Sequence, residues 1–252
     1  MLVLVGNWKM APEKASDVQK LAKGALSIAK QEKKRLSVIV CPPVAHIPAA
    51  VKVSKALKVG AQTVAGSNEV AQTGLVSAGQ LRAIGAAYCI VGHSEARARG
   101  EGNDVVAQQI LRLLEKKITP IICVGEKSRD HQGWYLSEVK DQLESFLSVV
   151  PKVAIKQMII AYEPVWAIGK DATREATPAE CEEMVIYIRK IITDVFDSKT
   201  GDSVRVLYGG SVHEKNARSF IKEGKAQGLL VGRVSLDTKR FAALAASIST
   251  FA

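Results

Sequence analysis

Short apolar runs rich in β-branched residues alternate along the chain with longer amphipathic stretches. The runs predict eight strands, at residues 2–6, 36–41, 58–62, 87–92, 119–124, 156–162, 203–208 and 226–231. Most of these runs are continuously apolar rather than alternating, which is typical of parallel strands covered on both faces. The alternation of strands with helical stretches therefore indicates a series of parallel βαβ units.

The stretch between the sixth and seventh strands carries a clear helix start. Thr177, Pro178 and Glu180 combine an N-cap hydroxyl, a proline at the first helical position and a capping-box carboxylate. Apolar residues then recur at helical spacing and predict one stripe that packs against the sheet, formed by Met184, Ile188, Ile191, Ile192 and Val195.

Eight βα units favour a closed (β/α)8 barrel, because open doubly wound sheets more often have about five or six strands. No change of composition and no low-complexity linker interrupts the units, so we predict an α/β protein with a single domain over residues 1–252. In such barrels the chemistry takes place at the carboxyl ends of the strands. Those positions are therefore the first to search for functional residues.

The composition is that of an ordinary globular protein, with 47% hydrophobic and 24% charged residues. The formal net charge of +10 suits an anionic ligand. Because the basic residues are scattered and only 5% of residues are aromatic, we expect no nucleic-acid partner. Residues 1–8 run straight into a strand, and no apolar run is long enough for a membrane span, so we expect a cytoplasmic protein.

The cysteines are widely spaced and form no CxxC pair; they are Cys41, Cys89, Cys123 and Cys181. This spacing predicts reduced thiols and neither a zinc motif nor a redox motif. We therefore expect no metal site built on cysteine.

Polar side chains follow the first and fourth predicted strands. Asn7 and Lys9 end the first, where Lys9 is either a solvated surface lysine or a fixed cation for an anionic substrate. His93 ends the fourth, and the polar run after it resembles the start of a short helix. A helix N-terminus disfavours imidazolium, so a neutral His93 can donate a hydrogen bond to a carbonyl. The alternative is a histidine whose ring is satisfied by the local backbone.

Glu163 follows the sixth predicted strand and precedes a loop that contains proline, tryptophan and glycine. Partial burial raises the proton affinity of a carboxylate, and a closing loop that excludes water raises it further. These properties suit a general base. The alternative for Glu163 is a structural salt bridge.

Glycine-containing turns follow the last two predicted strands, at residues 208–212 and 230–233. Such turns expose backbone N–H groups, and in barrels the loops after strands seven and eight often hold a phosphate group. Glycine pairs alone are also compatible with simple tight turns.

Four ordered motifs together resemble the triosephosphate isomerase family, and the resemblance extends over the whole chain. They are Asn7-Trp8-Lys9, Gly92-His93-Ser94-Glu95, residues 161–169 (AYEPVWAIG) and residues 208–212 (YGGSV). The resemblance implies a TIM barrel that interconverts dihydroxyacetone phosphate and glyceraldehyde 3-phosphate through an enediolate. It implies neither a metal ion nor an organic cofactor.

The resemblance also implies a role for each strand-end side chain. Glu163 would shuttle the proton between two carbons, and His93 would act as a neutral electrophile. Asn7 and Lys9 would stabilise negative charge on the substrate and the intermediate. Glu95 matches an acidic position of the family near Lys9 and His93.

The same resemblance implies a phosphate site and a homodimer. Backbone amides of Gly169, Ser211, Gly232 and Arg233 would bind the phosphate group. Residues 63–76 would project as a loop into a second copy of the chain. In that arrangement the small and apolar residues Val64, Ala65, Val70 and Ala71 would insert into the partner, and Thr73 would lie near its site.

Four features depart from the family pattern. Arg233 stands where glycine is usual, Ala96 replaces an arginine, and Leu75 replaces a glutamate of the dimer loop. The segment 169–176 is longer than the common lid and lacks its second glycine. We expect Arg233 to adopt a negative φ, which leaves its backbone N–H free to face the ligand.

Two other functions are compatible with parts of the sequence. A barrel that acts on another phosphorylated sugar, such as a pentose phosphate epimerase, would use similar glycine loops, but the Asn-Trp-Lys and Tyr-Glu-Pro-Val-Trp motifs oppose it. An inactive barrel retained as a binding module would agree with Ala96, Leu75 and the longer lid. Against it stands the presence of all the proposed catalytic residues.

Overall fold

A computed structural model describes residues 1–169, 172 and 174–251. The strands of these residues are all parallel and close into a barrel in chain order, with Leu2 of the first strand opposite Leu36 and Val3 opposite Gly228. The strands are β1 (Leu2–Asn7), β2 (Leu36–Cys41), β3 (Lys58–Ala61), β4 (Tyr88–Val91), β5 (Thr119–Val124), β6 (Ile159–Tyr162), β7 (Arg205–Tyr208) and β8 (Gly228–Val231). The prediction of a (β/α)8 TIM barrel is confirmed.

Helices surround the barrel, and short 3-10 turns occur at Val44–His46, Val165–Ala167 and Arg233–Leu236. The helices are α1 (Ala15–Gln31), α2 (Ile47–Val51), α3 (Ala78–Ala83), α4 (Ser94–Ala98), α5 (Asn103–Glu115), α6 (Trp134–Leu147), α7 (Lys152–Ile155), α8 (Pro178–Val195), α9 (Ser198–Ser203), α10 (Ala217–Lys222) and α11 (Thr238–Ser249). None of the helices in the described part of the chain combines the length and the apolar character of a membrane span.

Strand starts differ most from the predicted ones at β6, by three residues, and at β7 and β8, by two residues each; β8 begins at Gly228 rather than at residue 226. The predicted start at residue 156 is wrong, because the short helix α7 ends one residue earlier and the chain turns before Ile159. The predicted start at residue 203 is wrong as well, because α9 extends to Ser203. The side chain of Asp197 caps α9 by accepting the Thr200 N–H at 2.8 Å, a local bond that favours helix over strand.

Helix α8 begins as predicted. The Thr177 hydroxyl accepts the Glu180 N–H at 3.2 Å, and the Glu180 carboxylate accepts the Thr177 N–H at 2.7 Å. Four of the five predicted stripe residues are buried, namely Met184, Ile188, Ile191 and Ile192. Val195 is 41% exposed, because it is the last residue of the helix and lies beyond the end of the packed stripe.

The barrel interior is a separate apolar cluster that alternates with outward-facing residues along each strand. Its members are Val3, Val5, Ile39, Cys41, Ile90, Ile121, Cys123, Ile159, Ala161, Leu207 and Leu230. Strand residues of the opposite parity, such as Leu4 and Val38, pack with the helices in a larger cluster. This parity decides which residues at the strand ends point into the mouth of the barrel. All four cysteines are free and buried.

Candidate active site

The inward parity of the strands continues into the polar residues that follow them. Asn7 is two residues beyond Val5, and Glu163 is two residues beyond Ala161, so both side chains belong to the inward-facing rows. The Glu163 N–H still donates to the Val124 carbonyl at 2.8 Å, which extends the strand ladder by one residue. Period-two geometry therefore aims the carboxylate into the barrel mouth.

All nine predicted site residues line one cavity of about 610 Å³ at the carboxyl ends of the strands. They are Asn7, Lys9, His93, Glu95, Glu163, Gly169, Ser211, Gly232 and Arg233. The structure thus brings together residues from five different strand ends. Their individual roles stay predictions.

Glu163 is 2% exposed and has specific polar contacts. Its Oε2 accepts the Ser94 N–H at 3.0 Å, and its Oε1 lies 3.3 Å from Nε2 of His93. In the described chain, the ion-pair partner of this carboxylate is a histidine rather than a lysine or arginine. The arrangement differs from a structural salt bridge, because both contacts belong to groups at the barrel mouth.

Two glycines leave the space that Glu163 occupies. A Cβ at Gly125 would lie 1.8 Å from the Glu163 carbonyl oxygen, and a Cβ at Gly209 would lie 3.0 Å from the Glu163 Cγ. The first position tolerates only glycine, because the obstacle is backbone. The second limits how the Glu163 side chain can be placed.

The contacts of His93 define which ring nitrogen carries the proton. His93 precedes helix α4, and its Nδ1 accepts the Glu95 N–H at 3.1 Å. A nitrogen that accepts a hydrogen bond is unprotonated, so the neutral ring carries its proton on Nε2. Nε2 is the nitrogen that faces Glu163. Local backbone thus satisfies one nitrogen, and the other remains directed into the cavity.

Lys9 is held in an unusual backbone conformation at the end of β1. Its φ is +52°, which is uncommon for a residue with a side chain. Two side chains hold it there: Asn7 Oδ1 accepts the Lys9 N–H at 3.0 Å, and Gln62 Nε2 donates to the Lys9 carbonyl at 2.9 Å. Strain of this kind persists where surrounding contacts impose it and is often found at functional sites.

The ammonium of Lys9 lies 2.5 Å from Oε1 of Glu95, and the two side chains are 41% and 53% exposed. Partial burial by itself would raise the pKa of Glu95, but the hydrogen bond from Lys9 and the nearby positive charges lower it below its usual value. Glu95 is therefore an anion that orients the Lys9 ammonium at the cavity wall.

The glycine loops after β7 and β8 form another part of the cavity wall. Ser211 Oγ donates to the Ala167 carbonyl at 2.8 Å, which links the loop after β7 to the segment after β6. Gly232 has φ −91° and ψ −100°, and a Cβ there would lie 3.5 Å from Cε of Lys9. Arg233 begins a 3-10 turn and is not among the residues with positive φ, so the expected ordinary conformation is confirmed.

The segment after Glu163 is only partly described. Gly169 has φ +86°, a conformation that glycine adopts readily. Lys170, Asp171 and Thr173, which belong to the predicted longer lid, lie outside the described residues.

Glu126 is a residue of this region that sequence reasoning missed. It follows Gly125 after β5, is fully buried, and its Oε1 accepts the Tyr162 hydroxyl at 2.8 Å and the Trp166 Nε1–H at 2.7 Å. Burial raises the pKa of Glu126, although the hydrogen bonds from Trp166 and Tyr162 oppose the rise. Its position just after a predicted strand was the sequence signal that could have identified it.

The predicted contribution of Val64 and Ala65 to a partner pocket is wrong. These residues are only 4% and 7% exposed in their own chain, and Gln109 Nε2 donates to the Val64 carbonyl at 2.9 Å. The rest of the loop differs, since Val70 near its middle is fully exposed and Leu75 is 55% exposed. The base of the loop thus packs on its own barrel, while these two side chains are exposed.

In the part of the chain that the structure describes, no three His, Cys, Asp or Glu side chains are grouped to hold a metal ion. The groups that line the cavity are instead a buried carboxylate, an imidazole with its proton on Nε2, an ammonium and glycine-bearing loops. Such a set can move a proton at carbon and stabilise the resulting negative charge.

Comparisons with known proteins agree with this geometry. The family model described as triosephosphate isomerase matches residues 2–248. A triosephosphate isomerase of Moorella thermoacetica is 36% identical over 248 residues, which cover 96% of each chain. One of Methylococcus capsulatus is 36% identical over 251 residues, or 98% of each chain. One of Aquifex aeolicus is 35% identical over 244 residues, covering 95% of this chain and 96% of that protein.

The family match spans nearly all of the barrel, including every strand and every residue of the cavity. Identity of about one third over almost the full length of both proteins is far above what a shared fold alone would require. The chain belongs to the triosephosphate isomerase family.

Proposed function

We propose that this protein interconverts dihydroxyacetone phosphate and glyceraldehyde 3-phosphate, as an isomerase of glycolysis and gluconeogenesis. The observation that carries the proposal is the buried, inward-facing carboxylate of Glu163, 3.3 Å from the Nε2 of His93 in a cavity lined by Lys9 and glycine loops. The printed names of the relatives support the same reaction.

In the proposed reaction Glu163 removes a proton from the carbon beside the substrate carbonyl. The C–H electron pair forms the carbon–carbon double bond, and the carbonyl π electrons move onto oxygen to give an enediolate. The hydroxyl proton on the first carbon's oxygen then moves to the oxygen of the former carbonyl. Glu163 returns its proton to the former carbonyl carbon while a new carbonyl forms at the first carbon, so no electron is gained or lost overall. To do this the carboxylate exchanges its hydrogen bond from Ser94 for the substrate carbon.

His93 and Lys9 stabilise the charge that develops on oxygen. The neutral imidazole donates from Nε2 because its Nδ1 is occupied by the Glu95 N–H. A donor whose hydrogen bond strengthens as charge develops lowers the barrier more than it strengthens substrate binding. The ammonium of Lys9 adds positive charge; Glu95 orients the ammonium, and Asn7 holds the Lys9 backbone.

The phosphate group of the substrate binds to the wall formed by the glycine loops. The proposed donors are the backbone N–H groups of Gly169, Ser211, Gly232 and Arg233. The negative φ of Arg233 supports this role, because an ordinary backbone conformation lets the side chain point away while the amide faces the ligand. A net charge of +10 favours the approach of a dianionic substrate.

The protein acts as a homodimer of single-domain barrels in the cytoplasm. The exposed apolar side chains within residues 63–76 support the dimer, because Val70 and Leu75 are exposed in the isolated chain. In the dimer, Thr73 of one copy lies near Asn7 and Lys9 of the other.

A coupled assay on the purified protein tests the function. Glyceraldehyde 3-phosphate and dihydroxyacetone phosphate are each offered alone, and ribulose 5-phosphate is offered in parallel. We expect rapid interconversion of the triose phosphates and no epimerisation of the pentose phosphate. Epimerisation of the pentose phosphate without turnover of the triose phosphates would contradict the proposal. Binding of triose phosphate without turnover would instead favour a binding module.

A further inference from the structure

The charged side chains that line the cavity balance one another. In the part of the chain that the structure describes there are three cations and three carboxylates in this lining, namely Lys9, Arg233 and Arg240 with Glu95, Glu163 and Glu175. The lining therefore has no net formal charge, whereas the whole chain has a net charge of +10. A phosphate dianion inside the cavity depends on particular cations rather than on the overall charge of the protein.

Two of the three cations already have carboxylate partners. The Lys9 ammonium lies 2.5 Å from Glu95, and Arg240 donates from Nε and Nη2 to the two carboxylate oxygens of Glu214 at 2.6 and 3.0 Å. The hydrogen bond from Arg240 lowers the pKa of Glu214 to about 2, so this pair is ionised at neutral pH. Much of the charge of Lys9 and Arg240 is thus compensated before a ligand arrives.

Arg233 differs from both of these cations. Its side chain is exposed, and among the described residues it has neither a carboxylate within ion-pair distance nor a hydrogen bond to its guanidinium. Water can solvate such a group at the edge of a cavity, and all of its N–H donors stay available to a ligand. Arg233 therefore supplies the uncompensated positive charge of the described cavity lining.

The backbone that carries Arg233 is firmly held. Arg233 begins the 3-10 turn that follows Gly232, whose carbonyl accepts the Ser235 N–H at 2.9 Å and the Ser235 hydroxyl at 2.6 Å. Ser235 is 3% exposed and packs against Gly6 of β1, where an added Cβ would lie 2.9 Å from the serine Cβ. The start of the Arg233 side chain is thus fixed beside the proposed phosphate amides.

We propose that the guanidinium of Arg233 is a further specificity-determining group, which binds the phosphate dianion of the substrate in addition to the backbone amides. The proposal rests on the proposed function and deepens it, because it adds a full charge to a site otherwise built from neutral N–H groups. Glycine is usual at this position in the family, so the contact is a property of this chain. The amide of Arg233 keeps its proposed role, since amide and guanidinium are separate donors joined by a long, flexible side chain.

The chemistry of the two groups predicts how the contact acts. The planar guanidinium matches two phosphate oxygens at once, and such charge-assisted bonds are roughly twice as strong as neutral ones. The phosphate group keeps its charge while the proton moves at carbon, so the contact is equally strong in the ground state and the transition state. Uniform binding of this kind lowers KM and leaves kcat unchanged. Loss of the guanidinium should therefore raise KM alone.

Three substitutions of Arg233 separate its charge from its shape. Arg233→Gln removes the charge, Arg233→Lys keeps the charge but loses the planar fork, and Arg233→Gly restores the residue usual in the family. Arg82→Gln is the matched control, because it removes the same charge from an exposed arginine of α3 that does not line the cavity. Steady-state kinetics at fixed ionic strength compare these variants with the wild type, with glyceraldehyde 3-phosphate and unphosphorylated glyceraldehyde as substrates.

We expect Arg233→Gln and Arg233→Gly to raise KM for glyceraldehyde 3-phosphate about tenfold, and Arg233→Lys about threefold, with kcat within about twofold of the wild type. The kcat/KM for glyceraldehyde should stay within about twofold in every variant, because that substrate has no phosphate group. Arg82→Gln should match the wild type with both substrates. Unchanged KM in Arg233→Gln, or an equal loss with both substrates, would overturn the proposal.

Binding of inorganic phosphate gives a second test that does not depend on turnover. A ligand that binds the folded protein raises its melting temperature. We expect phosphate, compared with chloride at equal ionic strength, to raise the melting temperature of the wild type and of Arg82→Gln, and that of Arg233→Gln by at most about half as much. An equal rise in all three proteins would refute the role of the guanidinium. A wild type that shows this pattern but fails to convert triose phosphates would contradict the proposed function and leave the phosphate contact of Arg233 standing.

Discussion

The placement of Glu163 depends on neighbours that have no side chain. Gly125 and Gly209 occupy strand-end positions next to it, and a methyl group at either would meet Glu163 at 1.8 or 3.0 Å. The two carboxylate oxygens are then fixed by His93 and by the Ser94 N–H. The sequence predicted the carboxylate and the imidazole, because each ends an apolar strand. It did not predict the glycines, since a contact between different strands has no local signal.

Replacing Glu163 with Gln tests the base directly. The amide keeps the size of the side chain but cannot take up a proton at neutral pH. We expect kcat/KM to fall about 10²- to 10⁴-fold with the melting temperature nearly unchanged. Near-native kcat/KM in this variant would remove Glu163 from the mechanism.

Gly209→Ala tests whether the position of the carboxylate limits the rate. The added methyl group would lie 3.0 Å from Cγ of Glu163, and Gly209 has no positive φ that would add backbone strain. We expect kcat to fall about 10- to 100-fold, because small displacements of a catalytic group are costly. Gly79→Ala is the control, since its nearest neighbour would be 3.7 Å away. Equal activity of the two variants would show that the carboxylate has room to move.

Lys9→Met tests the proposed cation at the cavity wall. The variant removes the ammonium beside Glu95 while retaining most of the aliphatic stem. We expect kcat/KM to fall about 10²- to 10³-fold, with part of the loss in kcat, because the charge stabilises the anionic intermediate. Lys117→Met is matched in backbone strain, with φ +56° against +52° for Lys9, and lies outside the cavity. Loss of activity in both variants would point to the strained backbone rather than the charge.

At the scale of elements, predictions were accurate where a local pattern decides the structure. The capping box at Thr177 predicted the start of α8, and the apolar runs predicted β2 and β5 at their observed bounds. The starts of β6 and β7 were wrong because short helices precede them, and their few residues have no periodic pattern to detect. Glu126 was missed for a related reason. Its contacts with Tyr162 and Trp166 form only because β5 and β6 are adjacent in the barrel.

The start of α8 depends on the charge of Glu180. The hydrogen bond from Arg174, together with the bonds from Thr177, lowers the pKa of Glu180 to about 2. Partial burial acts in the opposite direction and would raise this pKa. A carboxyl whose pKa is depressed on folding stabilises the protein above its unfolded-state pKa, and this contribution is lost as pH falls towards the folded value. The effect should therefore be complete at pH 7 and diminish below about pH 4.

Glu180→Gln keeps the capping geometry and removes the charge. We expect the free energy of unfolding to fall by about 1–2 kcal/mol at pH 7, and the difference from the wild type to narrow between about pH 4 and pH 2. Urea unfolding at several pH values measures both effects. Glu182→Gln, which removes the same charge two residues further along α8, is the control. A gap that stays constant with pH would mean that the Glu180 charge does not stabilise the helix start.

At the scale of the whole molecule, the cavity gathers residues from distant parts of the chain because the eight strands end at one face of the barrel. The order of the βα units was therefore enough to predict which side chains meet. The loop at residues 63–76 was harder to predict, because composition alone cannot tell which of its apolar residues pack on their own chain. Val64 and Ala65 do so, whereas Val70 and Leu75 remain exposed.

The exposed apolar residues of that loop give the last prediction, which concerns the dimer. Leu75 is 55% exposed, and its contact with a second copy would remove apolar surface from water. Sedimentation equilibrium at micromolar concentration should give twice the chain mass of 27.1 kDa for the wild type. Leu75→Asp places a charge in the interface and should shift the protein towards the monomer, with kcat/KM falling as the protein is diluted.

The control is Val153→Asp, which introduces the same charge at a residue of α7 that is 72% exposed. We expect this variant to remain dimeric and active, because a substitution at an exposed residue away from the loop removes no packing contact and has little effect on stability. The activity of the Leu75 variant separates two cases. If Thr73 of the partner supports the Lys9 site, the monomer loses activity and regains it at high protein concentration. A wild type that sediments as a single chain would exclude the dimer, and a fully active monomer would show that each barrel completes its own site.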